Sequence, residues 1–440
     1  MRVERSGPVT FGQLSVLRSV QHLGPPGPVD ANTAQVWPLP PGVTARQVNG
    51  AWHELLLRNE SLRTTYDAIG SREPIQRVLP VPCLTLPVVD VSEAGADAVW
   101  EAATALTSTA LDLGTDLPWR AAVITRDGQA THLVASFHHI CADDTGMRSV
   151  ATQVRELLDG NPQPAGAQPL ELAAEQRAAH RRHERVLHYW ADRWDGFVAE
   201  DRSGMDRTWR SQATLYSLPA LTAAEAVSTR LKVSVQAVAL SAAFIALLNI
   251  TGRSAATFGL MASNRFSRRW ATVVSSLNQL APMTAAPQPG QTPDDFVRTV
   301  YASSMEAYSN GAYNVDDLRD LLVTQDRSGP EPMEFNCYFN FVGELATSYP
   351  PTHPAARAVA WQRPRRQSGP SFHLAVGTGA GMTFTLRASE AFLGEPGIAA
   401  VLTGMEAVLI ELAAGAAADV AAINTRPVRR LESDQTGAVR

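Results

Sequence analysis

Lysine is all but absent from this chain: Lys232 stands alone among 38 basic residues, and the other basic side chains are arginine. That bias, with the abundance of alanine, reads as GC-rich coding and says little about function. The basic residues do not outnumber the 43 acidic ones, and the net charge is −5. A chain without a cationic excess lacks the electrostatic footprint of a nucleic-acid binder. Its densest basic stretch, Arg177 to Arg185, reads as a solvated helix face. Cysteine is scarce as well. Cys83, Cys141 and Cys337 lie far apart, which excludes a disulfide framework and paired-cysteine metal spacing and suits a reducing cytoplasm. No HExxH pattern supplies a metal site in their place. The N-terminus, Met1-Arg-Val-Glu-Arg-Ser6, has charges where a secretory leader needs apolar residues. The longest apolar run, Val233 to Ile250, approaches the length of a membrane span. It carries Ser234, Gln236, Ser241 and Asn249 and stops at Thr251-Gly252, so it reads as a buried helix. The expectation is a cytoplasmic protein that engages neither membrane nor nucleic acid.

What is present is a globular composition, 45% hydrophobic and 18% charged over 440 residues. That length exceeds what one hydrophobic core usually supports, so two lobes are expected. The Pro- and Gly-rich segment Asn161–Pro169 is the natural boundary. It sets an N-terminal lobe at 1–168, a C-terminal lobe at 169–425 and a disordered tail at 426–440. Helical spacing is read at 11–22 and 95–109, and after a Thr44 cap, where Val48, Trp52, Leu55, Leu56 and Leu57 form one apolar face. The strands Trp119–Thr125 and Thr131–Phe137 flank Asp127-Gly128, a strong hairpin signal. A helix follows from Thr145 to about Leu158. An exposed helix is expected over 170–196, helices at 222–231, 234–250, 292–309 and 397–414, and strands near 256–261, 334–343, 371–377 and 382–388. The class is mixed α/β.

The second hairpin strand ends in His138-His139-Ile140-Cys141-Ala142-Asp143-Asp144. Adjacent residues of a strand point to opposite faces, so the two imidazoles do not share a metal. A single histidine is usually a satisfied core residue. Here two histidines, three spacers and an aspartate opening a helix put a base at a strand-to-helix turn, with a carboxylate able to order its loop.

The stretch Ser136 to Gly146 resembles the HHxxxDG core of nonribosomal-peptide condensation domains, within the chloramphenicol-acetyltransferase-like superfamily. Other blocks resemble that family in order. Phe11 to Arg18 is similar to its opening block, Arg58-Asn-Glu-Ser-Leu-Arg-Thr-Thr-Tyr66 to "RHExLRTxF", and His188 to Trp194 to "YWxxxL". Phe258 to Arg265 is similar to "VxGxPxxNR", and Ser276-Leu-Asn-Gln-Leu-Ala-Pro282 to "GxFVNTLPL". Ala312 to Leu318 and Glu334 to Phe341 stand where two later blocks fall.

The resemblance implies two chloramphenicol-acetyltransferase-like α/β lobes forming a V-shaped pseudo-dimer, with His139 facing a tunnel at their interface. It implies condensation: an acyl or aminoacyl thioester on the phosphopantetheine arm of a peptidyl or acyl carrier protein is joined to an amine or hydroxyl. His139 would be the catalytic residue, as general base or orienting hydrogen bonder, and His138 structural. Asp143 would pair with an arginine of the "RHExLRT" block, with Arg58 and Arg63 the two candidates. Asn278 would line the tunnel or stabilise a turn. No bound cofactor is expected. A monomer is expected, because the fold already pairs two lobes. The first block begins about ten residues from Met1 and no "GGxS" carrier signature is found, so a free-standing enzyme is expected. The family's Gly after the aspartate is here Asp144, which puts a carboxylate beside the site. Two alternatives therefore stay open: acyl transfer onto a free small-molecule alcohol or amine, and a catalytically silent recruitment platform.

Overall fold

Thr44 opens the helix Ala45–Arg58 with a reciprocal cap: its hydroxyl accepts from the Gln47 amide, and the Gln47 side chain reaches back to the Thr44 amide. The computed structural model describes residues 2–23, 27–91, 97–198, 207–327, 331–332, 335–344, 359–415 and 417–423. The expected tail at 426–440 lies outside them.

The described chain forms two compact units, and they are not two successive halves. The first contains Met1–Asp192, Ala262–Gln279 and Gly311–Arg327; the second contains the intervening segments and the remainder. The single boundary expected at 168/169 thus becomes a discontinuous division. The segment Asn161–Pro169 is a loop within the first unit. Proline, glycine and lack of periodicity mark any surface loop, and a domain junction is only one of these.

In the first unit a four-stranded sheet runs in the order Asn32–Pro38, Gln129–His138, Trp119–Arg126, Val88–Asp90. Its central hairpin turns at Asp127 and Gly128, with φ of 51° and 75°. Two successive positive φ values match the right-handed twist of the strands they join, which is why Asp-Gly marks the turn. The turn sets Arg126 opposite Gln129, and a one-residue shift between Ile124 and Thr125 then brings Trp119 opposite Phe137. That register decides which side chain arrives at the strand end beside His139. The helix Ala45–Arg58 buries Val48, Ala51, Trp52, Leu55 and Leu56, and the Trp52 ring meets Trp119 edge-on at 4.9 Å. Leu57, expected on this face, is 48% exposed. A second sheet of three strands runs Arg5–Pro8, Ile75–Val78, Thr64–Asp67. The helix expected over 170–196 is two, Pro169–Ala178 and His180–Ala191. It is not all exposed, since Leu172, Ala173, Val186 and Trp190 are buried.

The second unit is built on a seven-stranded mixed sheet in the order Gln279–Ala285, Ala256–Ala262, Cys337–Glu344, Phe372–Thr378, Met382–Ser389, Thr208–Ser217, Val359–Gln367. Helices Leu218–Leu231, Val235–Thr251 and Glu395–Ala414 pack together on it. Val235–Thr251 is buried from Ala237 through Leu248, as its apolar run predicts. Among the described residues, Glu395–Ala414 has the length and apolar character of a membrane span. It buries Ile398, Val401, Leu402, Met405, Val408 and Leu409 against its neighbours and is a core helix.

Candidate active site

The hairpin strand delivers His138 fully buried and His139 half-buried at its end. The His139 amide donates to the Ala31 carbonyl at 2.8 Å, and the His138 amide to the Pro118 carbonyl at 2.9 Å. These bonds lock both residues to neighbouring backbone. His138 faces inward, where its Nδ1 accepts the Ile140 amide at 3.2 Å. Burial, reinforced by the charge of neighbouring His139, pushes the His138 imidazole down to about 3, so it stays neutral at any physiological pH. Cys141 is equally sealed: burial holds its thiol well above the usual range, and it contacts the Pro118 and His138 carbonyls. A buried thiol of this kind is inert.

His139 lies on the other side of the turn. Its Nδ1 is 3.3 Å from the Ser276 hydroxyl, which in turn donates to Asn278 Oδ1 at 3.1 Å. Among the described residues its Nε2 makes no hydrogen bond.

Asp143 organises this arrangement. It caps the helix Asp144–Leu158, its Oδ1 accepting the Gly146 amide at 2.8 Å. The same oxygen accepts from the Arg265 guanidinium at 2.6 Å, while Oδ2 accepts the backbone amides of Leu277 (2.9 Å) and Asn278 (3.3 Å). The Asp143 amide donates to the Ser275 carbonyl at 3.2 Å. Arg265 also donates through its terminal nitrogens to the carbonyls of Trp270, Val273 and Ser275. One buried ion pair thus holds loop 275–278 against the His139 turn, all within the first unit. Two glycines permit the approach. A Cβ on Gly12 would lie 2.7 Å from the Leu277 Cα and closer still to the Ser276 carbonyl oxygen. One on Gly146 would lie 3.2 Å from the Ser275 carbonyl oxygen. At Gly12 only glycine leaves that room, and at Gly146 any side chain would press its neighbours back by a few tenths of an ångström.

Neither arginine expected to hold Asp143 does so. Arg58 pairs with Glu54 one helical turn back, at 2.7 Å, and donates to the Gln163 carbonyl. Arg63 pairs with Glu4 at 2.7 Å and donates to the carbonyls of Leu56 and Leu79. The partner is Arg265, 122 residues from Asp143. Its signal was the closing Asn-Arg of the block at 258–265; the resemblance had pointed instead to the block at 58–66. Ser276 was also missed, as no general rule marks a serine as the neighbour of a distant histidine. Asp144 is exposed and pairs with Arg148 on the first turn of its helix, with Arg148 Nε 2.9 Å from Asp144 Oδ2. An acidic side chain there suits the positive end of the helix dipole. Among the described residues no three His, Cys, Asp or Glu side chains gather to hold a metal.

Against this geometry stand the comparisons with known proteins. The model of the family described as Condensation domain matches residues 26–425. The chain belongs to the condensation-domain family. Its mixed α/β fold is that of solved condensation domains. The domain from the Monacolin K polyketide synthase MokA superposes with a TM-score of 0.77 at 15% identity, covering 96% of this chain and 100% of that one. A structure described as the molecular basis for condensation domain-mediated chain release from the enacyloxin polyketide synthase gives 0.75 at 17% identity, covering 100% and 86%. SgcC5 from Streptomyces globisporus gives 0.69 at 19%, covering 93% and 99%. At such identities the likeness establishes the fold alone. In sequence, this condensation domain is 31% identical over 158 residues to the AMB antimetabolite synthetase AmbB of Pseudomonas aeruginosa. That match takes in 34% of this chain and only 13% of that much longer protein.

Proposed function

We propose that this condensation domain joins an acyl or aminoacyl thioester, held on the phosphopantetheine arm of a carrier protein in the cytoplasm, to an amine or hydroxyl acceptor, with His139 as its base. The observation that carries this reading is the His139 ring itself. Its backbone is pinned, its Nδ1 is engaged, and its Nε2 has no partner among the described residues. A thioester carbonyl is already electrophilic, so catalysis needs mainly positioning and the handling of one proton. As the nucleophile attacks the carbonyl carbon, Nε2 takes its proton. The tetrahedral intermediate collapses by breaking the C–S bond, and the proton passes to the departing thiolate of the arm. A neutral imidazole can both accept that proton and return it. Asp143 and Arg265 hold the turn and its facing loop, and His138 stays neutral behind them.

The test is intact-mass analysis of an acyl-loaded carrier protein with a panel of amine and alcohol acceptors, comparing wild type with His139→Ala. Transfer by wild type that falls by at least 100-fold in the variant is expected, within the usual span of general base catalysis, and the product mass distinguishes amide from ester. Transfer from a soluble thioester without a carrier would favour the alternative of an acyltransferase acting on a free small molecule. No transfer from any donor, with partner binding unchanged by the mutation, would make the protein a recruitment platform. That last reading rests on Asp144, whose carboxylate is occupied by Arg148.

A further inference from the structure

A histidine can serve as a base at Nε2 only if the proton of its neutral ring sits on Nδ1. Which nitrogen carries it is set by the hydrogen bond the other makes. In this chain that bond leads to a hydroxyl with its own commitment. The Ser276 Oγ–H donates to Asn278 Oδ1 at 3.1 Å, and a hydroxyl has one hydrogen to give. Its oxygen, 3.3 Å from His139 Nδ1, is therefore left as an acceptor, and the ring must supply the proton between them. The chain runs His139 Nδ1–H to Ser276 Oγ–H to Asn278 Oδ1.

Loop 275–278 is not free to let this lapse. The amides of Leu277 and Asn278, which follow Ser276, donate to Asp143 Oδ2, and the carbonyl of Ser275, which precedes it, accepts both the Asp143 amide and the Arg265 guanidinium. The Ser276 carbonyl accepts from the Thr10 hydroxyl, and bare Gly12 lets its helix close over that backbone. The serine is thus oriented by backbone bonds on both sides. With Asn278 set on the Asn of the "GxFVNTLPL" block, Ser276 falls where that block has Phe. A phenyl ring there has no hydroxyl to take part in such a relay.

From this we propose that Ser276, oriented by Asn278, is a positioning residue that holds His139 in its Nδ1–H tautomer, with the Nε2 lone pair turned to the reacting group. The inference rests on the reading of His139 as the base. When Nε2 takes up a proton, Nδ1–H becomes a stronger donor, and the Ser276–Asn278 dipoles meet the new charge without rearranging. Removing the hydroxyl takes that support from the imidazolium. His139 then becomes a weaker base, and neutral rings divide between the two tautomers.

The decisive measurement is nitrogen NMR of full-length protein labelled at histidine nitrogens, with the His139 signals assigned by their loss in His139→Ala. Wild type is expected to show neutral His139 protonated at Nδ1. Ser276→Ala should move it toward the Nε2–H form, and Ser276→Thr, which keeps the hydroxyl, should restore it. In the carrier assay, Ser276→Ala should lower the plateau of kcat/KM by about 10- to 100-fold, part of what a general base contributes. The acid limb should move to lower pH, KM should stay unchanged, and Ser276→Thr should recover most of the rate. A purely structural serine would lower stability without moving tautomer or pH limb. Nε2–H in the wild type, or an unchanged tautomer in Ser276→Ala, overturns the proposal whether or not turnover is seen. Undiminished transfer by His139→Ala would instead overturn the functional reading, and the spectrum reports separately on the relay.

Discussion

Asp143 accepts four hydrogen bonds on two oxygens, from two amides of one loop, an amide of its own helix and a guanidinium. It and Arg265 have only 4% and 5% of their side chains exposed. A buried pair of this kind adds little over a well-packed apolar pair, but breaking one side strands a charge. Arg265→Met should therefore cost about 3–5 kcal/mol in urea unfolding. Arg58→Met, whose partner Glu54 is 40% exposed, should cost less than about 1 kcal/mol. The opposite ranking would restore the pairing expected from sequence. His138 supplies a second test. Its folded-state affinity is depressed to about 3 by burial, while the unfolded residue titrates near 6.5. The unfolded chain thus binds the extra proton, and stability from this residue is fully present above about pH 6.5. It falls by up to about 1.4 kcal/mol per pH unit below that, through the folded value. Replacement by Gln should flatten unfolding free energy against pH between about 6 and 4, and an unchanged slope would place the effect elsewhere.

At the scale of elements, the site is where a strand end, two helix starts and one loop converge on bare backbone. Gly12 lies near the start of the helix Phe11–Leu23 and Gly146 near the start of Asp144–Leu158, and loop 275–278 runs against both. Gly12→Ala should cost about 1–3 kcal/mol, as overpacking does, and should lower turnover by shifting the loop that carries Ser276. Gly50→Ala, where added bulk meets nothing within 4 Å, should do neither. Thermal unfolding and the carrier assay read the two effects. The elements that form the His139 turn were legible because their signals are local: Asp127-Gly128 for the hairpin, Thr44 for a helix cap, Asp143 for the next. The strands Thr208–Ser217 and Val359–Gln367 were not. The first is largely polar, with Arg210, Ser211, Gln212 and Thr214 between its few apolar residues, and the second is exposed over most of its length. Such strands are held by backbone pairing, which side-chain pattern does not report. The partner of Asp143 escaped for a related reason. Contact across 122 residues leaves no spacing to read.

For the molecule as a whole, two units were foreseeable from length, but their composition was not. The chain leaves the second unit after the strand Ala256–Ala262, serves the first through Gln279, and returns along Gln279–Ala285. No break in composition marks either crossing. This threading sets a timetable during synthesis. His139 and Asp143 emerge with the early part of the chain, whereas Arg265 follows 122 residues behind Asp143, on the order of ten seconds later at ordinary translation rates. Until then the Asp143 carboxylate has no cation, and Leu172 waits for Trp270, Val273 and Leu277, its neighbours in one apolar cluster. The nascent first unit must therefore persist as an unfinished body while the first segment of the second, Arg193–Met261, is being made, and the His139 turn is among the last places in it to close.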